Sequence, residues 1–542
     1  MKQLSAIILV LLIFLPGQAQ DTIFKFLIGF KDKAGTTYSI DDPAEFLSER
    51  AIERRLRYSI AISESDLPVN QAYVDSLNMP WTNVIYASRW LNSAVISATD
   101  SAVVNRVKQF PFVKSIKYLA RDITSEQGKL KAFADKFDTT TLDYGLAATQ
   151  IKIHHGDDLH AEGYLGQNMV IALLDAGFNN ADSLRAFDSL HMNGQLLGTK
   201  DFVKPGNDVY SEHTHGMNVL SIMGGNLPGE LIGTAPAASY WLLRTEDVNT
   251  EQRIEEINWI AGAEFADSAG ADIINSSLGY SEFDDSLQNY TYEDMDGNST
   301  FVTRGADMAA SRGILVVVSA GNEGNKTWLH ITAPADGDSV LAVGAVDRSG
   351  VYASFSSKGP SFDGRTKPDV VAVGLGTTIQ RADGAVVQGA GTSFSAPVMS
   401  GLSACLWQKF RWLSNYEIIK ALQQSSSLNP YPDNFIGYGI PNIPLAGYIL
   451  TGFPPIPETT ELSIMPNPVV SEIRVSCASG VKDYVRYDVF DISGRKMPVS
   501  GIITGTNITE FIIRSADILP SGIFILRLTT DNKVIVSKFI KE

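Results

Sequence analysis

Six apolar residues in a row form the stretch MVIALL, from Met169 to Leu174, and the turn-like sequence Asp175-Ala176-Gly177 follows it directly. Helical patterns separate this stretch from later apolar runs, notably at Ile254–Ala269 and Asp307–Arg312. The later runs are Ile273–Ile274, Ile314–Val318, Val340–Val343 and Val370–Val373. Because buried strands that alternate with helices form covered parallel sheets, the pattern predicts an α/β domain with a mostly parallel sheet and helices on both faces.

Asp175 lies at the carboxyl end of the first predicted strand, where open α/β sheets place their functional residues. Asp-x-Gly is also a common turn sequence. The aspartate alone therefore leaves a structural and a functional interpretation open.

The bulk composition limits the class of protein. A length of 542 residues predicts about three or four domains. The contents of 44% hydrophobic and 19% charged residues are those of an ordinary globular chain. A net charge of −16 argues against nucleic acid as the main partner, because phosphate binding requires the opposite sign.

Residues 1–19 have the pattern of a signal peptide. Lys2 supplies a positive charge, Ala6–Leu15 an apolar region, and Gly17-Gln18-Ala19 a small-x-small cleavage site before Gln20. The apolar region is shorter than the roughly 20 residues that a membrane span needs. The pattern predicts a secreted protein, and a buried N-terminal helix is the alternative.

Changes in pattern predict five further segments. Residues 20–121 indicate a small α+β unit, with predicted strands at Phe24–Phe30, Val95–Ala98 and Val113–Leu119 and predicted helices at Asp42–Tyr58 and Asp100–Gln109. The polar segment 122–143 indicates a linker with a processing site. The α/β domain covers 144–450, and the proline-containing segment 451–460 is a stiff linker. Short alternating strands over 461–542 predict a β-sandwich.

Two histidines precede a predicted helix, in the sequence His213-Thr214-His215-Gly216. Residues two positions apart do not share a helical face, so the pair does not fit a two-histidine zinc site. One imidazole near a helix start remains a candidate base.

Two further segments suit nucleophilic chemistry. Ser393 lies in a run of small residues at the start of an apolar helix, where backbone N–H groups and the helix dipole favour an oxyanion. Asn322 follows another apolar strand in a glycine-containing turn. Ser393 could instead be a simple N-cap, and Asn322 a turn former.

Together these segments follow the order Asp, His, Asn, Ser, and here the chain resembles the subtilisin family (peptidase S8). The resemblance extends over most of residues 144–450. It rests on Asp175-Ala176-Gly177, His215-Gly216, Ser277-Leu278-Gly279, Ala320-Gly321-Asn322-Glu323-Gly324, Gly391-Thr392-Ser393, Gly344–Asp347, Phe355–Pro360 and Lys367–Val370.

The resemblance implies a secreted serine endopeptidase that needs no cofactor for its chemistry. Ser393 would be the nucleophile, His215 the general base, Asp175 its orienting partner, and Asn322 an oxyanion donor. Segments Ser277-Leu278-Gly279 and Ser319-Ala320-Gly321 resemble those that bind extended substrate and line the primary specificity pocket.

Two positions need comment against that family pattern. His215-Gly216-Met217-Asn218-Val219 fits the family motif, so we expect His213 to be a bystander. Ala176 stands where the family usually has Ser or Thr, whose hydroxyl can steady the aspartate.

The flanking units also resemble known domains. The unit over 20–121 is similar to an inhibitor and chaperone propeptide of Bacteroidetes-type proteases, which makes the propeptide a partner before maturation. Residues 461–542 resemble a type IX secretion sorting domain through Met465–Pro468, Val489–Arg495 and Leu519–Leu526. This implies an outer-membrane secretion machinery as partner, and an extracellular or cell-surface location. A permanent N-terminal binding domain and a carbohydrate- or protein-binding sandwich are the alternatives.

A structural calcium ion is compatible with the family resemblance, but its position stays open. Asp294-Met295-Asp296-Gly297-Asn298 resembles the start of a calcium loop. It lacks the terminal bidentate glutamate, so an acidic surface loop is the preferred interpretation over ligands at Asp294, Asp296 and Asn298.

Two other functions would require a different set of residues from that of a protease. An inactive protease-like surface scaffold or adhesin would have no need for Asp175, His215, Ser393 and Asn322 together. A serine esterase would carry a Gly-x-Ser-x-Gly elbow and the order Ser, Asp, His, which this chain lacks.

Overall fold

A computed structural model of the chain describes residues 22–122, 142–452, 462–481, 484–491, 495–505, 508–529 and 534–542. The predicted signal peptide (1–19), nearly all of the processing segment (122–143) and most of the second linker (451–460) lie outside the described residues. The chain divides into one compact unit up to Pro444 and a second from Leu445 to the end.

The N-terminal part of the first unit is a four-stranded antiparallel sheet in the order β2–β3–β1–β4. Its strands are β1 (Ile23–Phe30), β2 (Thr82–Ser88), β3 (Ser93–Ala98) and β4 (Val113–Asp122). Its helices are α1 (Glu49–Arg57), α2 (Gln71–Ser76) and α3 (Val104–Val107). The strands predicted at Phe24–Phe30, Val95–Ala98 and Val113–Leu119 are thereby confirmed.

The alternation along β1 buries side chains on both faces of this sheet. Phe26, Ile28 and Phe30 point into the core of the N-terminal part itself. Leu27, one position out of phase, points into a different core that includes Val95 and helices of the following domain. The N-terminal sheet therefore has no free face over these residues.

Two helices of the N-terminal part are shorter than the sequence patterns predict. Residues Asp42–Tyr58 contain a 3₁₀ turn at Pro43–Glu45, and α1 begins only after Ser48, whose side chain accepts from Ala51 N and caps the helix. Residues Asp100–Gln109 likewise open with a 3₁₀ turn before α3. Local capping decides these boundaries, and hydrophobic spacing alone does not encode it.

The α/β domain has an eight-stranded sheet in the order β14–β13–β12–β11–β10–β5–β9–β6, parallel except for β14. The strands are β5 (Val170–Asp175), β6 (Leu196–Asp201), the short pair β7 (Asn226–Leu227) and β8 (Leu231–Ile232), β9 (Ser239–Arg244), β10 (Ile273–Ser276), β11 (Leu315–Ser319), β12 (Leu341–Asp347), β13 (Val370–Gln380) and β14 (Val386–Ala390). The predicted mostly parallel α/β fold is confirmed.

Nine helices lie between residues 142 and 452 of the described chain. They are α4 (Ala148–Lys152), α5 (Gly156–Ala161), α6 (Asp188–Met192), α7 (His215–Gly224), α8 (Arg253–Ala269), α9 (Phe301–Ser311), α10 (Thr392–Lys409), α11 (Asn415–Gln424) and α12 (Ile443–Leu450). Helix α9 begins six residues before the predicted start at Asp307, because the Thr300 side chain accepts from Thr303 N and caps it. Across the described chain, no helix combines the length and apolarity needed to cross a bilayer.

The N-terminal part and the α/β domain share one hydrophobic core. Buried residues of the N-terminal sheet, such as Leu27 and Leu119, belong to the same cluster as Ile257 of α8 and Val302 of α9. Continuous apolar burial of this kind is the main favourable term in folding and association.

Buried arginines hold the edge of this interface. Arg54 and Arg55 of α1 and Arg89 all pair with Asp267 near the end of α8, at 2.5, 2.9 and 2.6 Å. All four side chains are less than a tenth exposed. Every ion pair that Asp267 makes therefore comes from the N-terminal part, within the described residues.

The C-terminal unit is built of two antiparallel sheets. One has the order β15–β16–β19 and the other β18–β17–β20–β21. The strands are β15 (Leu462–Met465), β16 (Ile473–Val481), β17 (Tyr484–Asp491), β18 (Lys496–Thr504), β19 (Ile508–Ile513), β20 (Gly522–Thr529) and β21 (Val534–Lys541). Side chains of both sheets, such as Val475 and Leu526, form a common core, as the sandwich prediction requires.

Candidate active site

Three neighbouring parallel strands end at one edge of the large sheet. Asp175 is the last residue of β5, Ser277 follows β10, and Ser319 is the last residue of β11. Because β11, β10 and β5 are adjacent, the sheet brings these positions together at its carboxyl edge.

Helix α7 brings His215 to this edge. His215 Nδ1 lies 2.8 Å from Asp175 Oδ1, and the aspartate is fully buried. A Cβ at Gly216 would lie 2.9 Å from Asp175 Cβ and 2.6 Å from Gly177 O, so a side chain there would push the helix away. The His-Gly pair is thus explained by close approach of α7 to β5.

Opposing influences act on the imidazole of His215. Burial lowers the pKa of His215, but the charge of Asp175 and the hydrogen bond to it together raise the pKa above its ordinary value of 6.5. His213 is exposed and its Nδ1 accepts from His215 N. Burial and the neighbouring imidazole lower the pKa of His213.

The two carboxylate oxygens of Asp175 differ in their hydrogen bonds. Asp175 Oδ1 also accepts from Ala176 N at 2.7 Å, whereas Oδ2 is buried with no hydrogen-bond partner among the described residues. The methyl group of Ala176 cannot donate a hydrogen bond, and this is the position where the family usually carries a hydroxyl. The departure noted in the sequence therefore coincides with an unpaired oxygen.

Ser393 is the second residue of α10, and its Phe394 neighbour stacks on the ring of His215 with centroids 5.9 Å apart. The Ser393 hydroxyl donates to Ser277 O at 3.3 Å, and the Ser277 hydroxyl donates back to Ser393 O at 2.9 Å. The serine thus lies at the end of β10 with its hydroxyl turned toward the carbonyl of Ser277, and the residue after it contacts the ring of His215.

The side chain of Asn322 is fixed by a residue that the sequence did not single out. Asn322 Oδ1 accepts from Thr392 N at 2.9 Å and from Thr392 Oγ1 at 3.1 Å, which leaves the Nδ2 group available as a donor. A Cβ built at Gly391 would lie 3.8 Å from Ser393 N and 3.9 Å from Asn322 Nδ2. Both N–H donors therefore border the same space beside Gly391.

The expected substrate-binding segments lie beside these groups. Ser277-Leu278-Gly279 continues β10, and Ser319-Ala320-Gly321 continues β11. One short segment connects them, because Thr332 N donates to Ala320 O and Ala333 exchanges two backbone hydrogen bonds with Tyr280. No motif in the sequence predicted this link.

The proposed calcium residues lie in the loop before α9. Asp294 accepts from the backbone and the hydroxyl of Thr291. Asp296 accepts from Asn298 N, Ser299 N and Ser299 Oγ, and these hydrogen bonds outweigh its slight burial and lower its pKa. The loop's own donors thus use the carboxylates, and calcium at Asp294, Asp296 and Asn298 stays a prediction.

Another group of carboxylates lies between the end of β9 and the first turn of α8. Glu246, Glu251 and Glu255 place oxygens within 4.8 Å of one another, and Tyr280 donates its hydroxyl to Glu246. Burial raises the pKa of all three carboxyls, to about 7 for Glu251 and to about 9 for Glu255. Negative neighbours add to this effect, namely Glu255 and Glu251 at Glu246, Asp284 and Glu256 at Glu251, and Glu251 at Glu255. These groups bind protons more readily than ordinary carboxylates, so proximity alone does not make them a metal site.

Three segments of the chain match known family descriptions. Residues 166–439 match the subtilase family of peptidase S8, which is just over half of the chain. Residues 25–134 match the peptidase S8 propeptide domain of the Bacteroidota. Residues 463–542 match a secretion system C-terminal sorting domain, which supports secretion to the extracellular space or cell surface.

Individual relatives agree with the first match. The chain is 28% identical to subtilisin E of Bacillus subtilis over 367 residues, covering 64% of this chain and 85% of that protein. It is 26% identical to serine protease AprX of Bacillus subtilis over 292 residues, covering 48% and 62%. The solved structure of the prenylagaramide maturation protease PagA gives a TM-score of 0.45 at 24% identity, covering 55% of this chain and 99% of that one. This chain belongs to the subtilase family of serine peptidases and carries a Bacteroidota-type propeptide domain and a secretion sorting domain.

Proposed function

We propose that this chain is a secreted serine endopeptidase that hydrolyses peptide bonds through an acyl-enzyme, with Asp175, His215 and Ser393 as its catalytic triad. The observation that carries the proposal is the 2.8 Å pair between His215 Nδ1 and buried Asp175, with Phe394, the neighbour of Ser393 in the first turn of α10, stacked on the same imidazole. This pair keeps the proton on Nδ1, so that Nε2 can accept one.

The reaction begins when Ser393 Oγ attacks the scissile carbonyl and His215 Nε2 takes its proton. His215 then protonates the leaving amine, and water releases the acyl group by the same route. The Ser393 hydroxyl must first turn from Ser277 O toward His215, and its 3.3 Å hydrogen bond is long and easily given up. Catalytic hydrogen bonds often tighten only when substrate binds.

Two donors would stabilise the oxyanion. Ser393 N–H belongs to the first turn of α10, where backbone N–H groups lack intrahelical partners. Asn322 Nδ2 is the second donor, and Thr392 fixes its direction by holding Oδ1. Fixed donors of this kind act where charge develops in the transition state.

The substrate chain would extend along Ser277-Leu278-Gly279, and its P1 side chain, on the residue whose carbonyl is attacked, would enter the space beside Ser319-Ala320-Gly321. Partners of the protein are thus protein or peptide substrates, its own propeptide, and an outer-membrane secretion machinery for the C-terminal unit. The chemistry needs no cofactor.

A fluorophosphonate probe tests this function, because it reacts only with an activated serine. We expect the processed protein, freed of its N-terminal part, to be labelled and to cleave peptides. Ser393→Ala should lose both properties. Ser395→Ala, two residues along the same helix, should keep them and serves as the matched control.

The alternatives predict different outcomes. An inactive scaffold would remain unlabelled although correctly folded, and this result would exclude the proposed function. An esterase would be labelled and would cleave small esters but no peptide. That result would support Ser393 as the nucleophile and exclude peptides as the substrate class.

A further inference from the structure

The side chain of Thr332 is a buried hydroxyl without a partner. Thr332 is 4% exposed, and its Oγ1 makes no hydrogen bond with any described residue. Native proteins pair most buried hydroxyls, since an unpaired one loses its hydrogen bonds to water without replacement. An orphaned group of this kind calls for a partner that arrives from outside.

The location of this hydroxyl is set by the two proposed substrate-binding segments. A Cβ at Gly279 would lie 2.2 Å from Thr332 Oγ1, and one at Gly321 would lie 2.8 Å from it. Both distances are too short for real atoms, so the threonine side chain rests against the bare Cα faces of the two glycines. Thr332 therefore fills part of the space between the segments.

The backbone keeps the threonine in place. Thr332 N donates to Ala320 O at 3.2 Å, and the following Ala333 is bonded to Tyr280 in both directions, at 2.8 and 3.1 Å. The two segments and the threonine thus form one hydrogen-bonded assembly, and the side chain cannot withdraw without breaking it.

The side chains that face Gly321 in this space are polar and uncharged. A Cβ at Gly321 would also lie 2.7 Å from Ser357 Oγ, a buried hydroxyl that accepts from Glu323 N. Two hydroxyls, of Thr332 and Ser357, therefore face the same glycine. A neutral small group suits this surface better than a charged or bulky one.

We propose that Thr332 is a specificity-determining residue that shortens the primary pocket, so that the enzyme cleaves after small P1 residues and favours serine over alanine. The inference rests on the proposed function, which makes the space between the segments the P1 pocket. An aromatic or long P1 side chain would overlap the threonine. A serine hydroxyl would give Thr332 Oγ1 the partner that it lacks.

Peptides that differ only at P1, with Ala, Ser, Leu or Phe, test the proposal on the processed wild-type enzyme and two variants. The wild type should prefer Ser, then Ala, and cleave after Phe slowly. Thr332→Gly empties the space and should raise the Phe-to-Ala ratio of kcat/KM roughly tenfold or more. Thr332→Val keeps the shape without the hydroxyl, so it should still exclude Phe but lose the preference for Ser.

Fluorophosphonate labelling of each variant separates the possible failures. A labelled wild-type enzyme that cleaves after Phe as readily as after Ala would overturn the inference and leave the proposed function intact. A labelled Thr332→Gly enzyme with an unchanged Phe-to-Ala ratio would do the same. A wild-type enzyme that is never labelled would overturn both.

Discussion

In the proposed mechanism, the imidazole of His215 has to be basic enough to accept the Ser393 proton and still be neutral when the substrate arrives. The Asp175 carboxylate works toward the first requirement, because its charge and hydrogen bond stabilise the protonated ring. Burial of the ring works toward the second. The aspartate wins, so the pKa lies above 6.5 and the neutral base becomes abundant only at higher pH.

We expect kcat/KM to rise with pH along a limb whose apparent pKa exceeds 6.5, because protonated His215 cannot act as a base. Asp175→Asn removes the raising influence, so the limb should move to lower pH while kcat falls about 10⁴-fold. Rate profiles against pH measure both effects.

His213→Ala is the control for this experiment, since His213 makes no hydrogen bond to Asp175 within the described residues and burial lowers its own pKa. The rising limb in the pH profile of the His213→Ala variant should have an apparent pKa near that of the wild type. A wild-type limb at or below 6.5, or a limb that follows His213 instead, would contradict the assignment.

At this scale the sequence pointed to the four side chains of the proposed mechanism but not to the residues that hold them in place. Asp175, His215, Asn322 and Ser393 stand in motifs whose order is readable from the chain. Thr392 and Thr332 act through contacts with distant segments, and a threonine in a sequence carries no mark of such contacts. The roles of these two threonines arise only when folding brings the distant segments together.

Between elements, a buried charged contact joins α1 to the end of α8. The arginines of α1 stand in a highly charged stretch of the sequence, yet Arg54 and Arg55 are at most 2% exposed. Asp267 makes their burial tolerable by pairing with both and with Arg89. Removing one partner of a buried ion pair is costly because it strands the other charge.

Asp267→Asn should therefore weaken docking of the N-terminal part by about 3–5 kcal/mol in the free energy of unfolding. Urea denaturation of the uncleaved Ser393→Ala protein measures it. Glu162→Gln, which removes an exposed ion pair with Lys409, should cost at most about 1 kcal/mol. Equal losses in the two variants would show that Asp267 is not a special anchor.

The predicted strands were those buried on both faces, such as β5 and β11, because they appear as continuous apolar runs. Strand β6 at the sheet edge was missed, since its residues alternate between half-buried and exposed and include Gly198. Pairing with β9 stabilises it, and that information lies elsewhere in the chain.

Over the whole molecule, the path from the N-terminal part to the α/β domain bears on maturation. Strand β4 ends beside the start of α8, where Arg121 N donates to Gln252 Oε1 at 2.8 Å. Helix α8 starts shortly after β9, the neighbour of the Asp175 strand. The segment predicted to be cleaved therefore leaves β4 near the catalytic edge of the sheet.

If the enzyme cleaves itself there, Ser393→Ala should accumulate as a precursor that begins near Gln20, while Ser395→Ala is processed normally. N-terminal sequencing and intact mass of the secreted protein distinguish the forms. Normal processing of Ser393→Ala would assign the cut to another protease.

The shared core between the N-terminal sheet and helices α8 and α9 has a thermodynamic consequence for the free enzyme. Release of the N-terminal part transfers side chains such as Leu27 and Ile257 from an interior into water. Newly hydrated apolar surface raises the heat capacity of the separated N-terminal part and enzyme. It also exposes an apolar surface that other molecules can bind. Export as one chain thus keeps the least soluble surface of the enzyme covered by the N-terminal part. Maturation is the step at which solvent first reaches that surface.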